Sequence, residues 1–148
     1  YEISCSLVGS EMCIRDSSVG IQFPDALVIG SDTVVRLGDQ ILGKPGTPER
    51  ASEMLHQLSG KTHEVITGVA LVQGERCTSF QTTTKVKFYS LTEEEIQQYV
   101  ATGEPLDKAG GYGIQGYGSL LVEALEGDYY GVVGLPIAPL ARALRNLG

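Results

Sequence analysis

The stretch ALVIGSDTVVRLGDQIL, residues 26–42, decides the fold that the sequence predicts. It begins with ALVIG, a short apolar run flanked by Pro24 and Gly30, which predicts a buried β-strand. The residues SDTVV follow at the end of that strand. Apolar residues on either side of Gly38-Asp39 predict a small hairpin or a strand with a tight turn. The stretch therefore predicts β-structure that carries polar residues where its first strand ends.

Two helices carry strong local start signals. Thr47 is placed as an N-cap with Pro48 at the first helical position, and apolar residues then recur at helical spacing. Thr92 and Glu95 form a capping box at the start of the second helix, and Gly103 closes it. We therefore expect two short helices, each with one face in the core.

Strand and helix patterns alternate along the rest of the chain. Two long strands are expected at residues 63–72 and 77–89, with a turn between them. A further strand at 120–125 and a last helix at 136–147 follow. The order of these elements predicts a mixed α/β fold.

Composition limits the classes of function. The 148 residues include 11 Lys+Arg and 18 Asp+Glu, for a net charge of −7, and they predict one globular domain that does not bind nucleic acid. No apolar run approaches the roughly 20 residues of a membrane span, and no signal peptide is recognisable, so a cytoplasmic location without membrane attachment is expected. The three cysteines form no CxxC pair, which favours free thiols in a reducing compartment.

The first residues, YEISCSLVGSEMCIRDS, have neither a helical nor a strand period. They resemble translated adapter or vector sequence of the kind found at the ends of proteins predicted from assembled reads, although an ordinary N-terminal arm is the alternative. We therefore expect residues 1–17 to be non-native and residues 18–148 to form the domain.

Asp32 and Lys44 are the first candidate site residues. Asp32 is expected at the end of a strand, where a metal ligand or general base can project into a crevice; a capping or turn aspartate is the alternative. Lys44 lies between Gly43 and Pro45 in a short loop, which suits a point charge that meets a phosphate, although a solvated loop lysine is commoner.

The segment GEPLDKAGGYGIQG, residues 103–116, is the strongest local feature. It contains a literal GxGxxG, but no apolar strand precedes it and no helix clearly follows, so a Rossmann dinucleotide site is rejected. A merely flexible loop would leave Lys108 and the apolar Ile114 unexplained, so a ligand-binding loop is favoured.

Three further residues have weaker signals. His56 lies on the first helix and His63 begins a strand, and neither has partners at zinc-ligand spacing, so surface or helix-end roles are expected. Lys85 belongs to an alternating polar strand pattern that predicts a solvent-exposed sheet face, with a phosphate contact as the alternative.

Several motifs in this order closely resemble the Maf family: SDTVV at 31–35, GKP at 43–45, A-x-x-M-L-x-x-L-S-G-x-x-H-x-V-x-T-G-V at 51–69, DKAGGYGIQG, and GDYYGVVGLP. The resemblance implies a Maf/ITPase-like α/β fold, with an elongated mixed sheet flanked by helices and two lobes around a central cleft. It also implies a nucleoside triphosphate pyrophosphatase, often a homodimer, that uses a divalent cation, Mg²⁺ or Mn²⁺, and removes non-standard nucleotides.

The resemblance also implies roles for individual residues. Asp32 matches the proton acceptor and metal ligand, and Lys44 and Lys108 match the lysines of the phosphate site. Thr33 and Gln115 match positions linked to substrate selection. The form DKAGGYGIQG is similar to the branch that acts on dTTP and UTP, whereas the branch that handles 7-methyl-GTP differs there.

One departure from the family concerns the N-terminal region. The family opens with a strand and a paired-arginine motif, S-x-S-P-R-R, which this sequence lacks, and Arg15 is no substitute. We therefore expect a fragment without that strand, a helix and the two arginines, with weak or no activity. A non-enzymatic regulator of septum formation in cell division is the alternative function, but a protein that only binds need not keep Asp32 together with both lysines.

Overall fold

The computed structural model describes residues 27–147, which form a five-stranded sheet and its flanking helices. The segment 1–17 and the expected strand start at Ala26 lie outside the described residues. The strands are β1 (Leu27–Leu37), β2 (Gln40–Leu42), β3 (Thr62–Gln73), β4 (Arg76–Phe88) and β5 (Val122–Glu126). Their order in the sheet is β2-β1-β3-β4-β5, and each pairing among them is antiparallel.

Helices connect the later strands and follow the last one. They are α1 (Pro48–Leu58), α2 (Glu93–Ala101), α3 (Tyr129–Val133) and α4 (Ile137–Leu147). Three 3₁₀ turns lie between α2 and β5, at Glu104–Asp107, Ala109–Gly111 and Tyr117–Leu121. The expected mixed α/β class is confirmed. The fifth strand begins two residues later than expected, because Leu120 and Leu121 belong to the third 3₁₀ turn.

The predicted helix starts are confirmed. The Thr47 hydroxyl accepts a hydrogen bond from Arg50 N at 3.3 Å, and Pro48 is the first residue of α1. Thr92 and Glu95 form the reciprocal capping box of α2. Both signals need only residues within one turn of the helix, so the sequence alone predicts them.

The first strand differs from its expectation. It continues through SDTVV as one strand of 11 residues, and Asp32 lies in its middle, opposite Gly68 of β3. Its apolar start is not buried, since Leu27 is 39% and Ile29 43% exposed. The cause is pairing: β1 keeps its ladder with β3 as far as Arg36, so the polar residues stay in the sheet.

The long strands β3 and β4 carry a separate core in each half. Val65 and Phe88 belong to the larger core, which also contains the apolar faces of α1 and α2. Val69 and Leu71 belong to the smaller one, which Leu140 of α4 completes. Helices thus cover the two halves separately, which leaves a cleft beside the middle of β1 and agrees with two lobes.

Three expectations about single residues need correction or confirmation. His63 is 1% exposed, so a surface role is wrong for it; β3 is the central strand, and its inward side chains enter the core. His56 does lie on the surface of α1, 2.7 Å from Glu93 Oε2. Cys77 on β4 is disulfide-bonded, so the expectation of a free thiol is wrong there.

No helix within residues 27–147 is long and apolar enough to cross a membrane.

Candidate functional site

A cavity of about 620 Å³ opens beside the middle of β1, next to residues of the larger core. The structure brings all five candidate residues from the sequence to its lining: Asp32, Thr33, Lys44, Lys108 and Gln115. They come from three separate parts of the chain, namely β1, the loop after β2 and the glycine-rich segment. Their arrangement around one cavity is therefore a product of the fold.

Strand β1 supplies Asp32 and Thr33. Asp32 is exposed to the cavity, and its Oδ1 accepts a hydrogen bond from Thr33 N at 3.0 Å. The Thr33 hydroxyl is 2.9 Å from the hydroxyl of Thr67, its cross-strand partner on β3. The ladder with β3 fixes the backbone under both residues, so their side chains start from a rigid support.

The two lysines stand on loops that are joined to each other. Gly46 N donates to Leu106 O at 3.0 Å, and Gly110 N donates to Gly43 O at 3.1 Å. These bonds lie on either side of Lys44 and bind its loop to the segment that carries Lys108. Both lysines therefore line the cavity from one connected piece of backbone.

The glycine-rich segment packs directly on β1. Gly110 has φ +74°, and a Cβ there would lie 2.9 Å from the Val35 side chain. Any other residue would be strained by this backbone conformation and would also push the loop away from β1. Gly110 therefore sets how closely the loop approaches the strand that carries Asp32 and Thr33.

Glu104 holds the part of the loop that carries Gln115, a role that the sequence analysis missed. Its Oε1 accepts hydrogen bonds from Tyr99 Oη at 2.9 Å and Gly118 N at 3.2 Å, and its Oε2 accepts from Tyr117 N at 3.0 Å. The one sequence feature that could have indicated this role is the position of the Glu104 carboxylate at the start of a glycine-dense segment. Its partners, however, lie up to 14 residues away.

Tyr99 and Tyr112 contribute neutral hydroxyls near the cavity. Burial raises the pKa of Tyr99 well above its ordinary value; the hydrogen bond from Gly113 N lowers it less than burial raises it, and Glu104 raises it further. Burial also raises the pKa of Tyr112, with a smaller contribution from the charge of Tyr99. Neither phenol can accept a proton at neutral pH, because both stay protonated there.

His63 supports Tyr112 from inside the core. Its Nε2 is 2.6 Å from Tyr112 Oη, and its ring packs edge-on against Phe88. Burial lowers the pKa of His63 to about 4, so the ring is neutral near pH 7. It contributes to the shape and support of the site and carries no charge there.

The carboxylates indicate how a metal ion fits this site. Among residues 27–147, no three Asp, Glu, His or Cys side chains cluster in a way that could hold one. Glu104 accepts three hydrogen bonds within the fold and Asp32 accepts one, so Asp32 is the lining carboxylate with more acceptor positions left for a ligand. One carboxylate suits Mg²⁺ that is held mainly by water and by the phosphates of a substrate. The residues present therefore fit such an ion.

Lys85, the alternative residue for a phosphate contact, does not line the cavity. Lys85 is exposed on β4, opposite Glu126, and it is not one of the lining residues. The site instead combines two lysines, one free carboxylate and polar groups that can form hydrogen bonds. This combination can bind a small polyanion next to a proton acceptor.

Comparison with known proteins gives consistent matches over most of the chain. The family model described as "Maf-like protein" matches residues 10–147. Proteins named dTTP/UTP pyrophosphatase are 52% identical in Bacillus cereus (strain B4264), 55% in Bacillus cytotoxicus and 50% in Bacillus anthracis. Each alignment covers 146 residues, which is 99% of this chain and 76% of the relative. The matches extend into residues 1–17.

Proposed function

The chain belongs to the Maf family, and from this premise we propose that it hydrolyses dTTP and UTP to the nucleoside monophosphate and pyrophosphate. The observation that carries the proposal is the position of Asp32, Lys44 and Lys108 around one cavity. About half of the chain is identical to relatives with that named activity. The cavity volume of about 620 Å³ is within the range of sites for small molecules.

Water attack on the α-phosphorus is the proposed chemical step. Asp32 accepts the proton of the attacking water, since its carboxylate faces the cavity and has only one internal hydrogen bond among the described residues. The bond between the α-phosphorus and the bridging oxygen then breaks, and pyrophosphate leaves with the bonding electrons. The buried phenols cannot replace Asp32, because their pKa values are raised.

Lys44 and Lys108 hold the triphosphate and neutralise the charge that develops on the leaving group. The hydrogen bonds between their loops position the backbone before the substrate arrives, so less ordering is needed on binding. This resolves the apparent conflict with a net charge of −7, because a local pair of cations is sufficient for one small anion. Asp107, 3.3 Å from Lys108 Nζ, positions that lysine in the absence of a ligand.

A divalent cation, Mg²⁺ or Mn²⁺, is part of the proposal. Asp32 and the substrate phosphates would hold it. When bound, the cation screens phosphate charge and makes bound water more acidic. The chain's own residues bind and orient the substrate and hold the proton taken from water.

Thr33 and Gln115 select the base in this proposal. Gln115 offers both a donor and an acceptor, which can read the edge of a pyrimidine. It lies between Gly113 and Gly118, whose backbone nitrogens are held by Tyr99 and Glu104, so the loop backbone near it is fixed. The cytoplasmic location and the homodimer expected from the sequence stay predictions.

The test is a product analysis with the 148-residue chain, Mg²⁺ and dTTP, UTP or dCTP. The expected products are dTMP and UMP, each with one equivalent of pyrophosphate, and dCTP should react more slowly. The incubations are long and the protein is concentrated, so that slow turnover is also detected. Formation of dTDP and phosphate would overturn the proposed cleavage site. Binding of a non-hydrolysable α,β-imido-dTTP without any turnover of dTTP or UTP would contradict the proposed hydrolysis by this chain.

A further inference from the structure

Thr67, a buried threonine on β3, contacts the site from behind. It has no exposed surface and lies directly opposite Thr33 in the β1–β3 ladder. Its hydroxyl contacts two groups: the hydroxyl of Thr33, at 2.9 Å, and the carbonyl oxygen of Gly131 in α3. Thr67 therefore connects the strand that lines one side of the cavity with the helix that lines another.

The directions of these hydrogen bonds follow from counting protons. A carbonyl oxygen has no proton, so Thr67 donates its only hydroxyl proton to Gly131 O. Thr67 can then only accept from Thr33, so the Thr33 hydroxyl is the donor across the 2.9 Å contact. The single proton of Thr33 thus points away from the cavity, which leaves Thr33 Oγ1 as an acceptor toward any ligand.

The Gly131 carbonyl is itself held in place. Asp128 caps α3 by accepting from Gly131 N at 3.1 Å. A Cβ at position 131 would lie 2.7 Å from Thr82 Oγ1, so α3 sits tightly against β4. Because the carbonyl cannot move away easily, the direction of the Thr67 hydroxyl is fixed as well.

We propose that Thr67 is a specificity-determining positioning residue, because it turns the Thr33 hydroxyl into an acceptor that favours pyrimidines with an N3–H. Uracil and thymine carry a proton at N3, whereas cytosine presents a lone pair there. An acceptor aimed at N3 accepts the proton of the first two and repels the lone pair of the third. Because its proton is already donated to Thr67, the Thr33 hydroxyl also cannot donate a hydrogen bond to a phosphate oxygen. This inference rests on the proposed function, which places the base at Thr33.

The test compares binding of α,β-imido-dTTP and α,β-imido-dCTP by titration calorimetry, so it does not depend on turnover. Thr67→Val nearly keeps the shape of the side chain but removes the hydroxyl that accepts the hydrogen bond from Thr33. Thr33 is then free to turn its proton toward the ligand. The preference for the thymine analogue should fall about tenfold, which is the effect expected from one unsatisfied polar contact. Thr67→Ser keeps the hydroxyl and should keep the preference.

Thr84→Val is the matched control. Thr84 is equally buried and its hydroxyl also contacts the start of α3, with 2.9 Å to Asp128 N and 3.2 Å to Asp128 O, but it does not contact Thr33. It should keep the base preference, even if the melting temperature falls. Should Thr67→Val fail to fold, Thr67→Ala removes the same hydroxyl without placing a methyl group against Gly131 O.

The outcomes separate this inference from the proposed function. If the unmodified chain prefers the thymine analogue and Thr67→Val keeps that preference, the inference is wrong and the function stands. An equal loss of affinity for both analogues would also overturn it, since that indicates a structural role only. A changed ratio between α,β-imido-UTP and α,β-imido-dUTP, which differ only in the 2′-hydroxyl, would assign Thr33 to the sugar and would contradict the base assignment. If the unmodified chain binds none of these analogues, both proposals fail.

Discussion

Gly116 lies directly against the carboxylate of Glu104, so closely that a Cβ at position 116 would be 2.3 Å from Glu104 Oε2. The same carboxylate accepts hydrogen bonds from Tyr99, Tyr117 and Gly118. It therefore cannot move aside without losing these bonds. The loop around Gln115 has its shape because a glycine at 116 leaves room for the Glu104 carboxylate, which holds the loop through these hydrogen bonds.

Gly116→Ala should destabilise the fold and weaken nucleotide binding. The added methyl group would displace the Glu104 carboxylate, and overpacking of this kind costs about 1–3 kcal/mol. Urea unfolding measures the loss, and titration with α,β-imido-dTTP measures the binding. Gly43→Ala is the control, because a Cβ there would meet nothing within 4 Å. Equal stability of the two variants would show that Glu104 is not a rigid anchor.

Asp32→Asn should abolish most hydrolysis while it leaves α,β-imido-dTTP binding nearly intact. The amide has the same shape but cannot accept the proton of water, and loss of a general base typically lowers kcat by about 10²–10⁴. Pyrophosphate release gives the rate. If excess Mg²⁺ restores the rate, Asp32 acts mainly as a cation ligand. Near-normal turnover at ordinary Mg²⁺ would assign the proton to another group.

Lys44→Met should lower the rate by roughly 10²–10³, as loss of one group that stabilises transition-state charge commonly does. Lys108→Met should have a comparable effect, because both side chains line the cavity. Lys85→Met is the matched control, since Lys85 is exposed on β4 away from the lining. Steady-state kinetics with dTTP would measure all three. A large loss in the Lys85 variant would revive the alternative phosphate contact.

Acid should destabilise the protein through His63. Burial lowers the pKa of His63 from its ordinary value of 6.5 to about 4 in the folded state, so below about pH 6.5 the unfolded chain takes up a proton that the folded chain does not. Stability is therefore full above that pH and falls as the pH drops toward 4. From about pH 7.5 to about pH 5 the predicted loss is about 2 kcal/mol.

The measurement is urea unfolding at both pH values. In His63→Phe the part of the acid-dependent loss that comes from this ring should disappear, whatever the absolute stability of the variant. His56→Gln, the exposed control, should keep the loss because His63 is still present. The same pH dependence with and without His63 would contradict the assignment.

The features that the sequence predicts well are those determined by neighbouring residues. Thr47 and Thr92 cap their helices with partners within three residues, so both starts could be found from the sequence. The position of Asp32 in the middle of a strand could not, because it depends on pairing with Gly68, far along the chain. The same holds for His63, whose burial follows from the central place of β3 in the sheet.

The candidate site shows the same division. The motifs around Asp32, Lys44 and Gln115 drew attention to residues that the fold then brings to one cavity. Glu104 and Thr67 were missed, because their importance lies in contacts with Gly118 and Thr33, which no local pattern indicates. The role of a residue that holds a site in place is therefore harder to recognise from the sequence than the role of the residue that it holds, because it depends on tertiary contacts.

The hydrogen bonds of Gly43 and Gly46 to the glycine-rich segment have a consequence for how this protein can change. They make the spacing of the two ammonium groups a property of two loops together, so an insertion or deletion in either loop would move both charges relative to Asp32. A change in the length of one loop alone would therefore not adapt the site to a substrate with a longer or shorter polyphosphate chain. Both loops would have to change length together, which restricts the routes by which substrate length can evolve.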